Sequence, residues 1–505
     1  MLKVLLKSIA ADCLRPTRFQ AFVLISFLCL IVYFPSLFHV ARGDQMNYIA
    51  EVAVRSDQSW GRLALGDFNF NRMRHFAPGD EPLFRPGLYF MLGTEEFLFG
   101  YDFKLWQATA LFCHLLVLWW LLKLAWFIRP GLWTAGCVAV FSVMAGHMEM
   151  VIWHHISAYM IFLALILAGF YHLLAYERGA GSKHAGFLVL VLGTSVLFYE
   201  AALAIMFFVA AYLLLSRLER KDCYRLIIAF SVISVGYLVW SAVNFPANGA
   251  KPELGLAYVQ NVWSWQTLQY ALTALGWWFY SGLLPFKAEL HTFSRMIAGG
   301  IHKPWLLTCA MLATGLVAVM AGAVWSLHRR KTGLFVKHGK LMLLTAAIMA
   351  SLAGIIAVGR MNTQGPLQAL SVATYYGYFF WAFMVVLAVA FVDDVIDATG
   401  AWRMWRWVAG VVLIILLGMN ALLTFRKNVE YADGSRELIA LTHQMQGFIT
   451  LHQQEPDFSF YVPTHWPNYE ISWLVNANDP AIKYSFVEIM FPKYFRRDHA
   501  KYRFL

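Results

Sequence analysis

Three acidic residues beside long apolar segments are the first candidates for chemistry in this chain. Asp44 follows the apolar run Phe19–Val40, Glu149 lies in the string GHMEMVIWHH, and Glu200 interrupts the run Phe187–Ser216. A carboxylate at membrane depth costs free energy and is therefore a functional candidate by default. A helix cap is the alternative for Asp44, and a hydrated hairpin tip is the alternative for Glu200.

A cation follows these acids in the chain. Arg85 opens the segment RPGLYFMLGTEEFLF, whose apolar and aromatic residues at helical spacing predict a surface-lying helix that leads into the next span. A guanidinium at that position can hold a phosphate through two parallel hydrogen bonds. Anchoring to lipid headgroups is the alternative role for the same side chain.

Three histidines share a short loop with Glu149: His147, His154 and His155. Imidazole and carboxylate can bind divalent ions, but this spacing matches no closed zinc pattern. We therefore expect no metal and no cofactor. Positioning of an acceptor by Glu149, or a plain interfacial cluster of histidines, are the two interpretations that remain.

The composition indicates which kind of element must hold these residues in place. Of the 505 residues, 60% are hydrophobic and 14% are charged, which excludes a soluble globular enzyme and a disordered chain. The formal net charge of +11 is explained by basic residues in loops that stay on the cytoplasmic side, and we predict no nucleic-acid partner. The chain is predicted to be an all-α polytopic membrane protein.

Apolar runs long enough to cross a bilayer recur along the chain. About 11 spans are predicted, with the N-terminus inside and the C-terminus outside. Phe187–Ser216 is interpreted as a hairpin of two short spans with Glu200 near its outer tip. Trp265–Leu284 is interpreted as an interfacial or re-entrant element, with its tryptophans in the headgroup layer. The other predicted spans are Phe19–Val40, Leu105–Ile128, Leu132–Met150, Ile156–Tyr176, Leu226–Val243, Trp305–Leu327, Leu341–Val358, Tyr376–Val392 and Trp407–Phe425.

Two domains are predicted. Residues 1–425 form the transmembrane domain, with a core at 19–243 and long outer loops at 41–104 and 244–304. Residues 426–505 form a small C-terminal α/β cap, with an amphipathic helix around Ser435–Leu451 and strand-like runs such as Phe458–Val462.

Several short motifs follow one another in a fixed order after the first span: Phe84-Arg85-Pro86, Leu98-Phe99-Gly100, His114, and then His147, Glu149, Val151 and Trp153. This order resembles the GT-C superfamily of integral-membrane glycosyltransferases, in particular its protein O-mannosyltransferase branch. The resemblance covers roughly residues 19–216. This chain departs from the pattern in having Gln45 after Asp44, and Thr374-Tyr375 where many relatives have Arg-Tyr; Arg360 is taken as the substitute cation.

The resemblance implies a GT-C-like bundle that transfers a sugar from a polyprenyl-phosphate donor, with inversion, to a glycan, lipid or protein acceptor on the outer face. It implies Asp44 and Glu149 as catalytic residues, with Asp44 as the general base that takes the proton from the attacking hydroxyl. A bacterial inner membrane with a periplasmic active face is the expected location. The implied ligands of the donor phosphate are Arg85, Arg360 and Arg295, and the implied sugar- or acceptor-binding residues are Tyr48, His147, His154, His155, Glu200 and Tyr375.

Other functions are compatible with a polytopic helical chain. A flippase for a lipid-linked sugar is disfavoured because no internal repeat is evident and the acidic residues gather at one surface. A polymerase or ligase with a diphosphate-linked donor is disfavoured because the loop 244–304 is poor in arginine. A structural scaffold is the simplest alternative.

Overall fold

Apolar helices make up most of the computed structural model, which describes residues 16–39, 59–61, 85–99, 102–216, 218–244, 264–283, 338–368, 375–393, 402–452, 475–476 and 479–483. The helices in chain order are α1 (Arg18–Tyr33), α2 (Pro86–Phe99), α3 (Phe103–Ile128), α4 (Leu132–Ser142), α5 (Met148–Ile152), α6 (Ser157–Glu177), α7 (Lys183–Ser195), α8 (Ala201–Leu215), α9 (Arg220–Asn244), α10 (Trp265–Leu283), α11 (Gly339–Gln368), α12 (Gly377–Phe391) and α13 (Trp402–His452).

Six of the described helices are long and apolar enough to cross a membrane, or seven if the bent pair α4 and α5 forms one span. Two shorter apolar helices, α8 and α12, accompany them. Large apolar side chains on α1, α9 and α13 are exposed on the outside of the bundle, where a bilayer would cover them. The chain is therefore a polytopic helical membrane protein. The predicted span Trp305–Leu327 lies outside the described residues, and the total of about 11 stays a prediction.

The predicted hairpin is present. Helices α7 and α8 are joined by a short turn, and Glu200 is the residue immediately before α8. Each helix is too short to cross the roughly 30 Å of hydrocarbon without tilt or bilayer thinning. The turn therefore brings a carboxylate to one end of the bundle.

The predicted single span Leu132–Met150 is wrong in its continuity, because α4 ends at Ser142 and the following helical segment is bent by 48° relative to it. The break leaves backbone groups without helical partners, and these groups need other partners inside an apolar bundle. Helix α13 supplies them. Thr424 Oγ1 donates to the Val143 carbonyl at 2.8 Å, and Asn420 Oδ1 accepts from the Ala145 N–H at 3.0 Å.

The sequence predicts Trp278, in the segment Trp265–Leu284, to lie in the headgroup layer, and this prediction is also wrong. Its side chain is 1% exposed and packs against Gly377 and Phe380 of α12, rather than lying in the headgroup layer. Helix α10 packs on α11 and α12 as well as on the 3-10 turn Ala145–His147. Trp265, by contrast, is exposed. The helix is amphipathic, and Trp278 lies on its core-facing side.

Basic side chains gather at one end of the bundle. Arg129 and His338 both contact Asp393, at 3.4 and 3.1 Å. Arg178 donates to a carbonyl in the last turn of α3, and Lys340 donates to the carbonyl that ends α8. We call this the Asp393 end; Arg85 and Glu200 lie at the opposite end, which we call the Arg85 end. Positive charge favours the cytoplasm for the Asp393 end.

Helix α13 runs without interruption through the predicted domain boundary at 425/426. At about 1.5 Å per residue it is about 77 Å long, more than twice the hydrocarbon thickness. Beyond it, the short strands β1 (Val475–Asn476) and β2 (Asp479–Lys483) pair antiparallel. Phe458–Val462 lies outside the described residues, and the C-terminal cap stays a prediction.

Candidate functional site

The start of α2 is docked onto the turn between α7 and α8. Pro86 is the first helical residue, a position that tolerates the missing N–H. The Gly87 N–H donates to the Leu197 carbonyl at 2.8 Å. A Cβ on Gly87 would lie 3.0 Å from that oxygen and 3.1 Å from the Phe198 ring. The local string R-P-G therefore allows two backbones to approach closely and fixes where Arg85 emerges.

Arg85 forms a bidentate ion pair with Glu200. Its Nε donates to Glu200 Oε2 at 2.8 Å and its Nη2 donates to Oε1 at 2.6 Å. The arginine side chain is 8% exposed and the glutamate side chain 35%. Burial alone lowers the pKa of Arg85, but the Glu200 carboxylate and the nearby tyrosines raise it well above its ordinary value. The guanidinium therefore stays charged although it is buried.

Two tyrosines enclose this guanidinium. Nη1 donates to the Tyr159 hydroxyl, and the guanidinium carbon lies 5.4 Å from the Tyr159 ring centre and 4.7 Å from that of Tyr199. Cations over aromatic rings are stabilised by the ring quadrupole, most of all where water is excluded. Tyr159, at the start of α6, and Tyr199, in the hairpin turn, therefore hold the charge in one orientation.

An aromatic wall extends from Arg85 across the same end of the bundle. The ring of Tyr199 stacks on Phe379 of α12 with centres 6.3 Å apart, and Phe379 contacts Tyr376. Tyr376 lies 4.2 Å from Tyr375, and Tyr375 lies 6.0 Å from Trp153. The structure thus brings three predicted site residues, Arg85, Glu200 and Tyr375, to one end of the molecule.

The residues of the GHMEMVIWHH segment divide between that end and the core. Glu149 is half-buried in the first turn of α5, and His154 is buried at the start of the next 3-10 turn. His147 is buried, donates from Nε2 to the Phe141 carbonyl at 3.2 Å and packs against Tyr378. His114 also faces Tyr378, whose hydroxyl lies 2.6 Å from its Nδ1. His114 and His147 therefore pack inside the bundle, away from Arg85.

Glu95 is a buried acid that the sequence interpretation missed. It lies on the face of α2 that carries Leu88 and Leu92, which pack against Trp106, while Phe97 on the same helix is 52% exposed. The Glu95 side chain is 4% exposed, and neither of its oxygens has a hydrogen-bond partner among the residues that the structure describes. Burial raises the pKa of this carboxyl well above its ordinary value. The spacing of Leu88, Leu92 and Glu95 was the available signal, because residues three and four apart share a helix face.

The structure describes no side-chain position for several predicted site residues. Asp44, Tyr48 and Arg295 lie outside the described residues. Arg360 falls in α11 and His155 in the 3-10 turn His154–Ile156, and only their backbone is described. Within the described ranges, no three His, Cys, Asp or Glu side chains are close enough to hold a metal ion.

No protein-family model matches this sequence, and no curated protein matches it. Among solved structures, the chain is similar to the archaeal oligosaccharyltransferase AglB from Archaeoglobus fulgidus, determined in complex with an inhibitory peptide and a dolichol-phosphate. The TM-score is 0.39 and the sequence identity 11%, over 93% of this chain and 61% of that chain. A similarity of this degree assigns neither a family nor an activity.

Proposed function

We propose that this protein is a membrane glycosyltransferase of GT-C type, which moves a sugar from a polyprenyl-phosphate donor to a glycan, lipid or protein acceptor. The Arg85 end faces the periplasm of a bacterial inner membrane, and the basic Asp393 end faces the cytoplasm. We expect no metal or other cofactor in the reaction, since a phosphate can leave without being protonated.

The observation that carries this proposal is the buried, oriented guanidinium of Arg85. A polyprenyl-phosphate donor keeps its tail in hydrocarbon and its phosphate at the membrane boundary, so its phosphate needs a cation at the end of a helical bundle. Arg85 is such a cation, held by Glu200 and enclosed by tyrosines. Tyr375, which packs against Tyr376 at the same end of the bundle, is the proposed contact for the sugar.

The reaction requires few groups. The acceptor oxygen attacks the anomeric carbon while its proton passes to a base, and the bond from that carbon to the phosphate oxygen breaks with its electron pair remaining on the phosphate. The configuration inverts because attack and departure take place on opposite faces. Asp44 is the proposed base, and Arg85 stabilises the charge that develops on the leaving phosphate. Arg360 and Arg295 are proposed further phosphate ligands; Glu149, Tyr48, His154 and His155 are proposed for the acceptor side.

Donor turnover by the purified protein in nanodiscs tests this proposal. A panel of radiolabelled polyprenyl-phosphate hexoses and pentoses is supplied with envelope extract as acceptor, and free polyprenyl phosphate is quantified. We expect release by the wild type and its loss in Asp44→Asn. Asp102→Asn is the matched control, because in the described part of the chain Asp102 caps α3, and asparagine caps equally well. Chelator treatment should leave release unchanged.

Other outcomes contradict the proposal. Full release by Asp44→Asn would exclude that residue as the base. Movement of intact donor across the bilayer without release of polyprenyl phosphate would instead indicate a flippase, and turnover of diphosphate-linked donors alone would indicate a polymerase or ligase.

A further inference from the structure

Glu200 occupies only part of the Arg85 guanidinium. An arginine carries five N–H groups. The Nε and one Nη2 hydrogen are used by Glu200, and one Nη1 hydrogen is used by Tyr159. One N–H on each terminal nitrogen is left without a partner in the described part of the chain. Arg85 can therefore receive a phosphate oxygen while Glu200 stays in place.

Donor and product differ in charge at this position. A polyprenyl-phosphate sugar is a phosphodiester with a single negative charge, whereas the polyprenyl phosphate released after transfer is a monoester with a charge near −2 at neutral pH. A lone buried arginine would hold the product more tightly than the donor, because attraction grows with charge and water screens it little there. An arginine that acts alone would therefore slow the release of product.

We propose that Glu200 is a positioning residue that orients Arg85 and weakens its hold on the dianionic product, so that polyprenyl phosphate leaves after transfer. The inference rests on the proposed function. The Glu200 carboxylate repels the phosphate dianion more strongly than the monoanionic donor. Its two short hydrogen bonds keep the guanidinium aimed while its charge offsets that of the arginine. This differs from the direct contact with sugar or acceptor that the sequence implied for Glu200.

A purely structural role makes the opposite prediction. If the pair only fastens the start of α2 to the hairpin turn, removal of the Glu200 charge loosens Arg85, and every ligand that depends on Arg85 binds more weakly. If the Glu200 charge instead weakens the hold of Arg85 on a phosphate dianion, the same change strengthens phosphate binding. Glu200→Gln separates the two roles, because glutamine retains an acceptor oxygen for Arg85 and its side chain lies at a site partly open to solvent.

The experiment is equilibrium binding of radiolabelled undecaprenyl phosphate and of uncharged undecaprenol to the full-length protein in nanodiscs, together with donor turnover. We expect Glu200→Gln to bind undecaprenyl phosphate roughly tenfold more tightly, the effect of about one charge-assisted hydrogen bond. Undecaprenol binding should not change. Turnover should fall while product inhibition strengthens. Asp393→Asn, which removes the acid paired with Arg129 at the opposite end of the bundle, should behave like wild type.

Each remaining outcome overturns the inference. If Glu200→Gln binds undecaprenyl phosphate as weakly as wild type or more weakly, the Glu200 charge does not weaken the hold of Arg85 on the phosphate, and wild-type turnover still supports the proposed function. If wild type binds undecaprenyl phosphate no better than undecaprenol and turns over no donor, the inference and the proposed function fail together.

Discussion

Two arginine–carboxylate pairs at opposite ends of the bundle, Arg85–Glu200 and Arg129–Asp393, have different geometries. Arg85 meets Glu200 through contacts of 2.8 and 2.6 Å, whereas the contact between Arg129 and Asp393 is 3.4 Å. The arginine side chains are 8% and 17% exposed, and the side chains of Glu200 and Asp393 are 35% and 21% exposed. The two short parallel hydrogen bonds fix the orientation of Arg85.

The surroundings of the pairs differ as well. Tyrosine rings enclose Arg85, while Asp393 is shared between Arg129 and His338. The Asp393 cluster balances charge at the end where basic residues gather. The Arg85–Glu200 pair holds the guanidinium in one orientation. A cation fixed in this way is suited to stabilise charge that develops in a transition state. The difference is the reason for placing the proposed chemistry at the Arg85 end.

The largest expected effect is on catalysis. Arg85→Ala should lower donor turnover by roughly 10²- to 10³-fold, as the removal of one charge-stabilising donor does in other enzymes. Arg129→Ala should change turnover less than about threefold, because that charge is remote from the site. Release of polyprenyl phosphate by matched amounts of folded protein measures both. Equal losses in the two variants would remove the functional contrast between the ends.

The next effect is on stability. Arg85→Ala should lower the free energy of unfolding by about 2 kcal/mol, because it removes a buried side chain with charge-assisted hydrogen bonds to a partly exposed partner. Arg129→Ala should cost about 1 kcal/mol or less, because its contact with Asp393 is longer and Asp393 keeps His338 as a partner. Denaturant unfolding followed by tryptophan fluorescence compares them. A larger loss in Arg129→Ala would reverse the ranking drawn from the geometry.

Glu95 differs from Glu200 and Asp393 in that its carboxyl has no hydrogen-bond partner in the described part of the chain. Its folded pKa lies well above the ordinary 4.5, so above that pH the folded state holds a proton that the unfolded state has lost. Stability should therefore fall with rising pH, by up to about 1.4 kcal/mol per pH unit, until the folded pKa is reached. At pH 7, Glu95→Leu should be more stable than wild type by about 1–2 kcal/mol, whereas Glu200→Leu should be less stable.

The control for Glu95 is the pH dependence of the same difference. The advantage of Glu95→Leu should shrink towards pH 4.5 and grow above it. Unfolding midpoints measured across that range test the sign. A wild type that is more stable than Glu95→Leu at every pH would show that the carboxyl has a stabilising partner.

The smallest expected effect concerns the contact that aims Arg85. Gly87→Ala should destabilise the protein by about 1 kcal/mol, because the new methyl crowds the Leu197 carbonyl and the Phe198 ring. Gly186→Ala, in helix α7 with open space around it, should instead stabilise by up to about 1 kcal/mol through helix propensity. Unfolding midpoints of the two variants give the comparison. Tolerance of Gly87→Ala would argue against close docking of α2.

Local patterns predicted much of the helical framework. The run Phe19–Val40 corresponds to α1 and its 3-10 extension, and the string R-P-G correctly marks the start of α2. The hairpin with Glu200 at its turn followed from the conflict between one long apolar run and the basic residues after it. These predictions succeed because length, hydropathy and proline act over a few neighbouring residues.

Other features depend on contacts between residues far apart in the chain, and local patterns could not predict them. Arg85 and Glu200 are 115 positions apart, and no local pattern announces their pairing. The break after α4 depends on Asn420, 275 positions from the N–H that it satisfies. Hydropathy alone also cannot distinguish a tryptophan in the headgroup layer from one in a protein core, which is why the prediction for Trp278 is wrong.

The most direct test of the central claim is a cryo-electron microscopy structure of the protein in nanodiscs with undecaprenyl phosphate bound. We expect a phosphate oxygen within about 2.8 Å of a terminal nitrogen of Arg85, the distance of a charge-assisted hydrogen bond, with Glu200 still on the opposite edge of the guanidinium. A phosphate bound at the Asp393 end, or at the Arg85 end without contact to Arg85, would contradict the account.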